Sequence, residues 1–505
     1  MRVLLCFILA AHWALAAGPV RFRITLDPSL GDQPVSGRML VFLTSSMESR
    51  ERLGTGFGPG DTWVAAMEVE RLTPGAAVEF DPGRKAFPRP FSEAPAGDYQ
   101  AMALLDQDHS YARTRQNEGD LYSLVIAVKG LNPASAEPVP LTLTRRTEVR
   151  PKPADTANVK LAEYTSDLLS AFWGRPIIMR AGVVLPPGYE QDVSRRYPAC
   201  YVVHGFGGNH LAAWREGPRL AGEMRQGERM AMVRVYLDGS FPSGHHEFAD
   251  SANNGPWGRA LTEEFIPRLE KRFRLIAAPR ARFLTGHSSG GWSTLWLQVI
   301  YPEFFGGTWS TAPDPVDFRS FTGIDATPGS TRNAYRTRDG RPLNLVRRRG
   351  KELASFEEFV KHEEVLGEYG GQIASFEWVF SPRGEDGRPM RLFDRATGEM
   401  NRDVQRAWLK YDIRGLMEAG WPVLGPKLLG KLRIICGSED TFHLEEAVTM
   451  LCDFLKSKGR EEVCEIVPGR DHGDLYDPYR TYPDGLARRI DDEMRARFEA
   501  ARPAR

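Results

Sequence analysis

Six residues, Gly286-His287-Ser288-Ser289-Gly290-Gly291, constrain this chain more than any others. They follow the apolar pair Phe283-Leu284 and lead into 292–301, where apolar residues recur at helical spacing. A strand that turns this sharply into a helix leaves no room for side chains beside the turn, so glycine stands at 286 and 290. The same bend lifts the Ser288 hydroxyl clear of the sheet. The pentapeptide G-x-S-x-G is common by chance. Its weight here comes from the strand before it, the helix after it and the further glycine at 291.

The surrounding sequence supplies the sheet that such a turn needs. From residue 158 to about 490, short apolar runs at 177–185, 199–203, 230–237, 282–284, 307–310, 432–436 and 462–467 alternate with helix-period segments, among them 258–273, 292–301 and 444–458. That alternation predicts a mostly parallel sheet flanked by helices. One stretch, 313–429, breaks the rhythm. It is rich in Arg, Glu, Gly and aromatics, with helix-like pieces at 355–369 and 401–419, and its length predicts a lid or cap. Residues 18–150 have a different texture: alternating or β-branched runs at 21–26, 38–43, 63–69, 97–105, 121–128 and 139–143, punctuated by Gly, Pro and Asp, predict a small all-β, sandwich-like domain. The Pro-rich 151–157 reads as a linker, and 491–505 as a C-terminal tail.

The first 17 residues combine Arg2, an apolar run over 3–11 and small residues before Gly18, the pattern of a cleavable signal peptide. An exported protein, periplasmic or secreted, is therefore expected. No later run approaches the ~20 apolar residues of a membrane helix, so no stable membrane insertion is expected. Lys plus Arg is 66 and Asp plus Glu is 66, and without clustered cation nucleic acid is a poor partner. Cys200, Cys436, Cys452 and Cys464 fit no zinc pattern. Cys200 and Cys436 lie in apolar runs and read as buried thiols, whereas Cys452 and Cys464 are free to pair or not.

A serine hydroxyl needs a base, and the base needs an acid to hold its tautomer. With Ser288 as nucleophile at a strand-to-helix turn, the expected chain order is Ser, acid, His. Three histidines follow it. His362 falls on a charged helix and His443 beside another helix start, both suiting a solvated role. His472, in Pro468-Gly469-Arg470-Asp471-His472-Gly473, follows the last strand and is the candidate base. The preceding strand ends at Gly437-Ser438-Glu439-Asp440, which makes Asp440 the candidate acid, with Glu439 its neighbour and a helix cap its alternative role. Two amide donors are needed for an oxyanion. Ser289 offers one, and Phe206, in the loop His204-Gly205-Phe206-Gly207-Gly208 after the strand 199–203, offers the other. His204, Gly205 and Gly207 of that loop, with Asn254 and Trp257 of the polar, aromatic stretch 245–258, are the candidate substrate-binding residues. Metal binding by His245, His246 and Asp250 is the lesser reading, since adjacent side chains diverge; no metal and no cofactor are expected.

With these pieces assembled, residues 158–480 resemble the putative esterase family, also called the esterase D family, through Val184-Leu185-Pro186-Pro187-Gly188-Tyr189, 201–208, 286–291, 437–440 and 469–473. The resemblance implies an α/β-hydrolase fold and a triad of Ser288, Asp440 and His472. It departs from the family where Gly473 and Asp474, rather than an aromatic residue, follow the histidine. The implied activity is hydrolysis of a carboxylic ester, on a small molecule or a carbohydrate. An acyltransferase of the same fold and a non-catalytic carbohydrate-binding protein are the alternatives.

Overall fold

The computed structural model describes residues 20–501 except 84, 116, 133–136, 150, 330–332 and 481. The signal-peptide reading therefore lies outside the described residues. Two compact units are present, one running to His109 and resuming after Arg115 as far as Glu148, the other comprising Ser110–Arg115 and Val149 onward.

In the first unit every run read as a strand forms one, and Ala77–Phe80 and Ala86–Phe87 are added. Where the sequence reading expects a sandwich, pairing is continuous: the nine strands make one hydrogen-bonded sheet. The run 121–128 breaks into Leu121–Ser123 and Ile126–Leu131. Ser123 is the reason, because its hydroxyl takes the Ala103 amide and donates to Leu124 O, which diverts the ladder. The unit buries its own core, including Phe22, Phe80 and Phe91.

The second unit is built on eight strands: β1 (Val159–Ser166), β2 (Ile177–Val184), β3 (Ala199–Val203), β4 (Val233–Leu237), β5 (Arg282–His287), β6 (Gly307–Thr311), β7 (Leu432–Gly437) and β8 (Cys464–Val467). Their order in the sheet is β1-β2-β4-β3-β5-β6-β7-β8. β1 and β2 are antiparallel to their neighbours, and from β4 onward all pairs are parallel. Chain order reverses direction between β3 and β5, which opens a crevice at their carboxyl ends, the usual place for a site in such a sheet. The strand missed by the sequence reading, β1, is an edge strand with a mixed buried and exposed pattern, so it lacks the apolar run of its neighbours.

Helices follow the 3.6-residue pattern with two departures: the segment 258–273 carries a π-helical stretch at Ala260–Phe265, and a second segment is broken. The segment 401–419 divides into Arg402–Trp408 and Ile413–Leu428, because Asp412 accepts from Gly415 N and starts a new helix. The insertion 313–429 is not a detached flap. Trp292 and Trp296, stacked at 5.1 Å on the helix that follows β5, meet Phe380 at 5.1 Å and Tyr411 at 5.5 Å, so the insertion shares the apolar core of the sheet.

The end of the chain also differs from its reading as a tail. Residues 491–500 belong to the helix Leu486–Ala500, whose Met494 and Phe498 are buried. Asp491, 1% exposed, receives Arg229 at 2.8 Å and pairs with Arg234 of β4. Cys452 and Cys464 form a disulfide, and Cys200 and Cys436 are buried thiols. Removing one partner of a buried ion network leaves the other charge stranded. Asp491→Ala is therefore expected to lower unfolding stability by about 3–5 kcal/mol in urea titration; a loss below about 1 kcal/mol would refute this account.

Candidate active site

The elbow at the end of β5 has the strain its sequence predicts. Ser288 sits at φ 60°, ψ −127°, a conformation L-residues rarely adopt, and is nearly buried. The glycines make it possible: a Cβ on Gly286 would strike Gly290 O, and one on Gly290 would strike Val203 O of β3. Ser288 N donates to Thr311 O of β6 at 3.1 Å, and Trp292 N donates to Ser288 O at 3.0 Å, so the bend is held from both sides.

β3 lies directly beside β5, with Val203 opposite Gly286, and delivers the glycine loop to the elbow. A Cβ on Gly205 would lie 3.2 Å from Ser288 Cβ, which measures how close the backbone of this loop comes. His204 fixes the loop through its ring: Nδ1 bonds Gly205 O at 2.7 Å, and Nε2 accepts from Gly239 N at 2.9 Å. Burial, set against Asp238, leaves His204 below the usual imidazole range and therefore neutral. Gly207, at φ 79°, adopts a conformation that suits glycine.

Asp440 and His472 meet at the far end of the sheet. Asp440 Oδ2 bonds His472 Nδ1 at 2.7 Å, while its Oδ1 takes Phe442 N at 2.9 Å. The cap role and the partner role are thus both filled, one by each oxygen. Glu439, by contrast, is half-buried and uses its amide on Arg470 O. Burial works to raise the Asp440 carboxyl, but the imidazole beside it holds the group below its ordinary range. Burial works the other way on His472, and Asp440 outweighs it, so the imidazole is raised above 6.5.

Three residues that local sequence did not single out hold these groups. His287, the variable residue of the pentapeptide, sends Nε2 to His472 O at 3.1 Å, with ring centroids 4.4 Å apart. Burial pushes His287 down to about 3, which keeps it a neutral donor. Tyr476, the aromatic residue beyond Gly473, bonds Thr311 Oγ1 at 2.8 Å. Arg347 comes from the insertion: its Nε donates to Asp440 O at 2.9 Å and Nη2 to Glu445 at 2.5 Å, which clamps the acid loop. No sequence window contains both ends of these contacts.

The remaining predicted residues are placed as follows. Asn254 is fully buried, with Oδ1 accepting from Ser243 at 2.9 Å. Trp257 stacks on His246 at 3.6 Å and lines a cavity of about 320 Å³, together with Arg113, Arg175, Arg180, Asp238 and Phe241. His245, His246 and Asp250 do not converge: His246 faces Asp238 O, and the Asp250 carboxylate takes the Gly258 and Arg259 amides. His362 is 5% exposed rather than solvated, and His443, also mostly shielded, faces Glu352 at 3.6 Å.

A strained serine ending a parallel strand, beside a glycine loop and across from a carboxylate–imidazole pair, defines a hydrolase of the α/β class. Residues 177–347, about a third of the chain, match the family model described as putative esterase, a match that supports a serine carboxylic ester hydrolase. The match takes in Ser288 and the glycine loop and ends before Asp440. No curated protein matches the chain. Among solved structures it is similar to an S-formylglutathione hydrolase from Agrobacterium tumefaciens (16% identity, 68% of this chain and 97% of that one, TM-score 0.36). It is also similar to a CE1 ferulic acid esterase from Anaeromyces mucronatus (16%, 70% and 95%, 0.36). A third is a fluorophosphonate-binding serine hydrolase of Staphylococcus aureus (13%, 66% and 97%, 0.39).

Gly437, three residues before the acid, has no space for a side chain, since a Cβ there would strike Arg470 O in the histidine loop. Gly437→Ala is expected to destabilise the protein by about 1–3 kcal/mol and to depress esterase activity more than a substitution of equal cost in the first unit. Equal activity loss in both, measured on stability-matched variants, would contradict the expectation.

Proposed function

We propose that the protein hydrolyses carboxylic esters through an acyl-enzyme on Ser288, with His472 as base and Asp440 as its orienting acid. In the free enzyme the hydroxyl leans elsewhere: among the described residues its hydrogen bond goes to Asp314 Oδ1 at a long 3.4 Å, and none is made to His472. Such bonds commonly tighten only when substrate arrives. The hydroxyl attacks the ester carbonyl as its proton passes to His472, and the amides of Phe206 and Ser289 receive the oxyanion. The alcohol leaves with that proton. His472 then takes a proton from water, and the acid is released. The observation that carries this reading is the 2.7 Å bond fixing the His472 tautomer, at the same end of the sheet as the strained Ser288.

The substrate we propose is a small-molecule or carbohydrate-linked ester, with the His204–Gly208 loop and the Trp257 wall as its contacts. We also propose export. The basic, apolar and small-residue pattern of the first 17 residues supports it, and the Cys452–Cys464 disulfide suits an oxidising compartment. Among the described residues no helix is long and apolar enough to cross a membrane.

Ser288→Ala is expected to abolish both turnover of short acyl esters and labelling by a fluorophosphonate probe, while Asp440→Asn lowers kcat by about 10⁴ through the wrong tautomer. Labelling that persists in Ser288→Ala would refute the assignment. Export is checked by the N-terminus of protein recovered from outside the cytoplasm: mass spectrometry should find it near Gly18, and an intact Met1 would count against a cleaved leader.

A further inference from the structure

Behind the nucleophile lies a pair of buried carboxyl groups that the mechanism above leaves unused. Asp314, 3% exposed in the loop after β6, places Oδ1 3.4 Å from Ser288 Oγ, and its Oδ2 receives the Ser289 hydroxyl at 2.5 Å. Its backbone is tied to the same residue, Asp314 N donating to Ser288 O at 3.2 Å. Glu247, 1% exposed, takes the Ser293 hydroxyl at 2.6 Å. It is held there by a backbone in the left-handed region at both Glu247 and Phe248, φ 55° and 48°. Two carboxyls so enclosed cannot both ionise freely.

The proton has a definite place. His245 Nδ1 lies 3.1 Å from Glu247 Oε1, and burial pushes the ring down to about 4 and Glu247 up to about 8. At neutral pH the hydrogen therefore belongs to Glu247, beside a neutral imidazole whose Nδ1 accepts from the Glu247 amide at 3.1 Å. Asp314 is then the member of the pair that ionises. Burial and Glu247 raise it to about 7, against the Ser289 hydroxyl, His472 and His245, which lower it. The groups that act on it thus come from the elbow, from the loop around Glu247 and from the histidine loop.

We propose that Asp314 is a further catalytic carboxylate, whose charge faces the Ser288 hydroxyl and supports the positive imidazole formed on His472 during attack. The inference rests on the Ser288–His472 reading. No bond to Asp314 forms or breaks: the proton passes from Ser288 to His472, and Asp314 contributes its field. The buried setting lets one charge act strongly on another. Attack requires a neutral His472 and an ionised Asp314, so both ionisations lie on the acid limb of the pH profile, and activity rises as each proton is lost.

The test uses the full chain. Asp314→Asn is expected to lower kcat about tenfold with KM little changed, and to lower the His472 pKa, read by NMR, by about one unit. Unchanged kcat and unchanged His472 titration, or a rise in kcat, would overturn the proposal, the rise meaning that Asp314 merely draws the hydroxyl away from its base. If Asp314→Asn fails to fold, Ser289→Ala removes the donor that favours ionised Asp314 while keeping the backbone amide. The acid limb of kcat/KM should then move to higher pH, and an unmoved limb would equally overturn the proposal. Ser288→Ala separates the two levels: an active variant sinks the nucleophile assignment, whereas an inactive one beside an unaffected Asp314→Asn sinks this inference alone.

Discussion

The strained backbone of Ser288 is the constraint on which the site depends. A side-chain-bearing residue at φ 60°, ψ −127° has to be held by its surroundings, and here those surroundings are two flanking strands and three glycines packed without space for a Cβ. Because the glycines touch β3 and β6 directly, the bend fixes where the His204–Gly208 loop and the loop after β6 begin. Ser288 and its immediate neighbours therefore form one rigid block. The proposed acid and base follow β7 and β8, and His472 is registered against that block by His287, whose ring reaches its backbone.

Electrostatics then divides the labour among groups of similar chemistry. Asp440 is buried yet held ionised by an imidazole and two amides, whereas Glu247, equally buried, faces a neutral ring and a hydroxyl and keeps its proton. The difference is one of partners, not of depth. Four histidines surround the elbow, and burial drives His204, His245 and His287 to the neutral form. Only His472 has a carboxylate strong enough to reverse that trend. Of these four, a single basic imidazole results, so in the proposed mechanism the Ser288 proton has one destination.

What could be read from the sequence was whatever is encoded locally. The elbow, the strand ends carrying Asp440 and His472 and the alternation of apolar runs were visible because each lies within a few residues and follows a fixed period. The unseen elements fall into two kinds. β1 lacks an apolar run because it is an edge strand, whereas the Leu486–Ala500 helix carries Leu486, Ile490, Met494 and Phe498 at helical spacing, a period that reading 491–505 as a tail cut in two. Asp314, His287 and Arg347 looked ordinary because their significance depends on partners far along the chain. Reading 313–429 as a lid failed to anticipate that its aromatics complete the core, since burial against a helix and exposure on a flap call for different partners but similar composition.

Arg347 gives that insertion a consequence beyond packing. Its guanidinium serves the Asp440 carbonyl and the Glu445 carboxylate together, and burial has already pushed Glu445 up to about 7. Trimming the segment would take that donor from both acceptors at once. What resembles an accessory is thereby tied to the loop that carries Asp440, so shortening the excursion would disturb that loop rather than remove a free module.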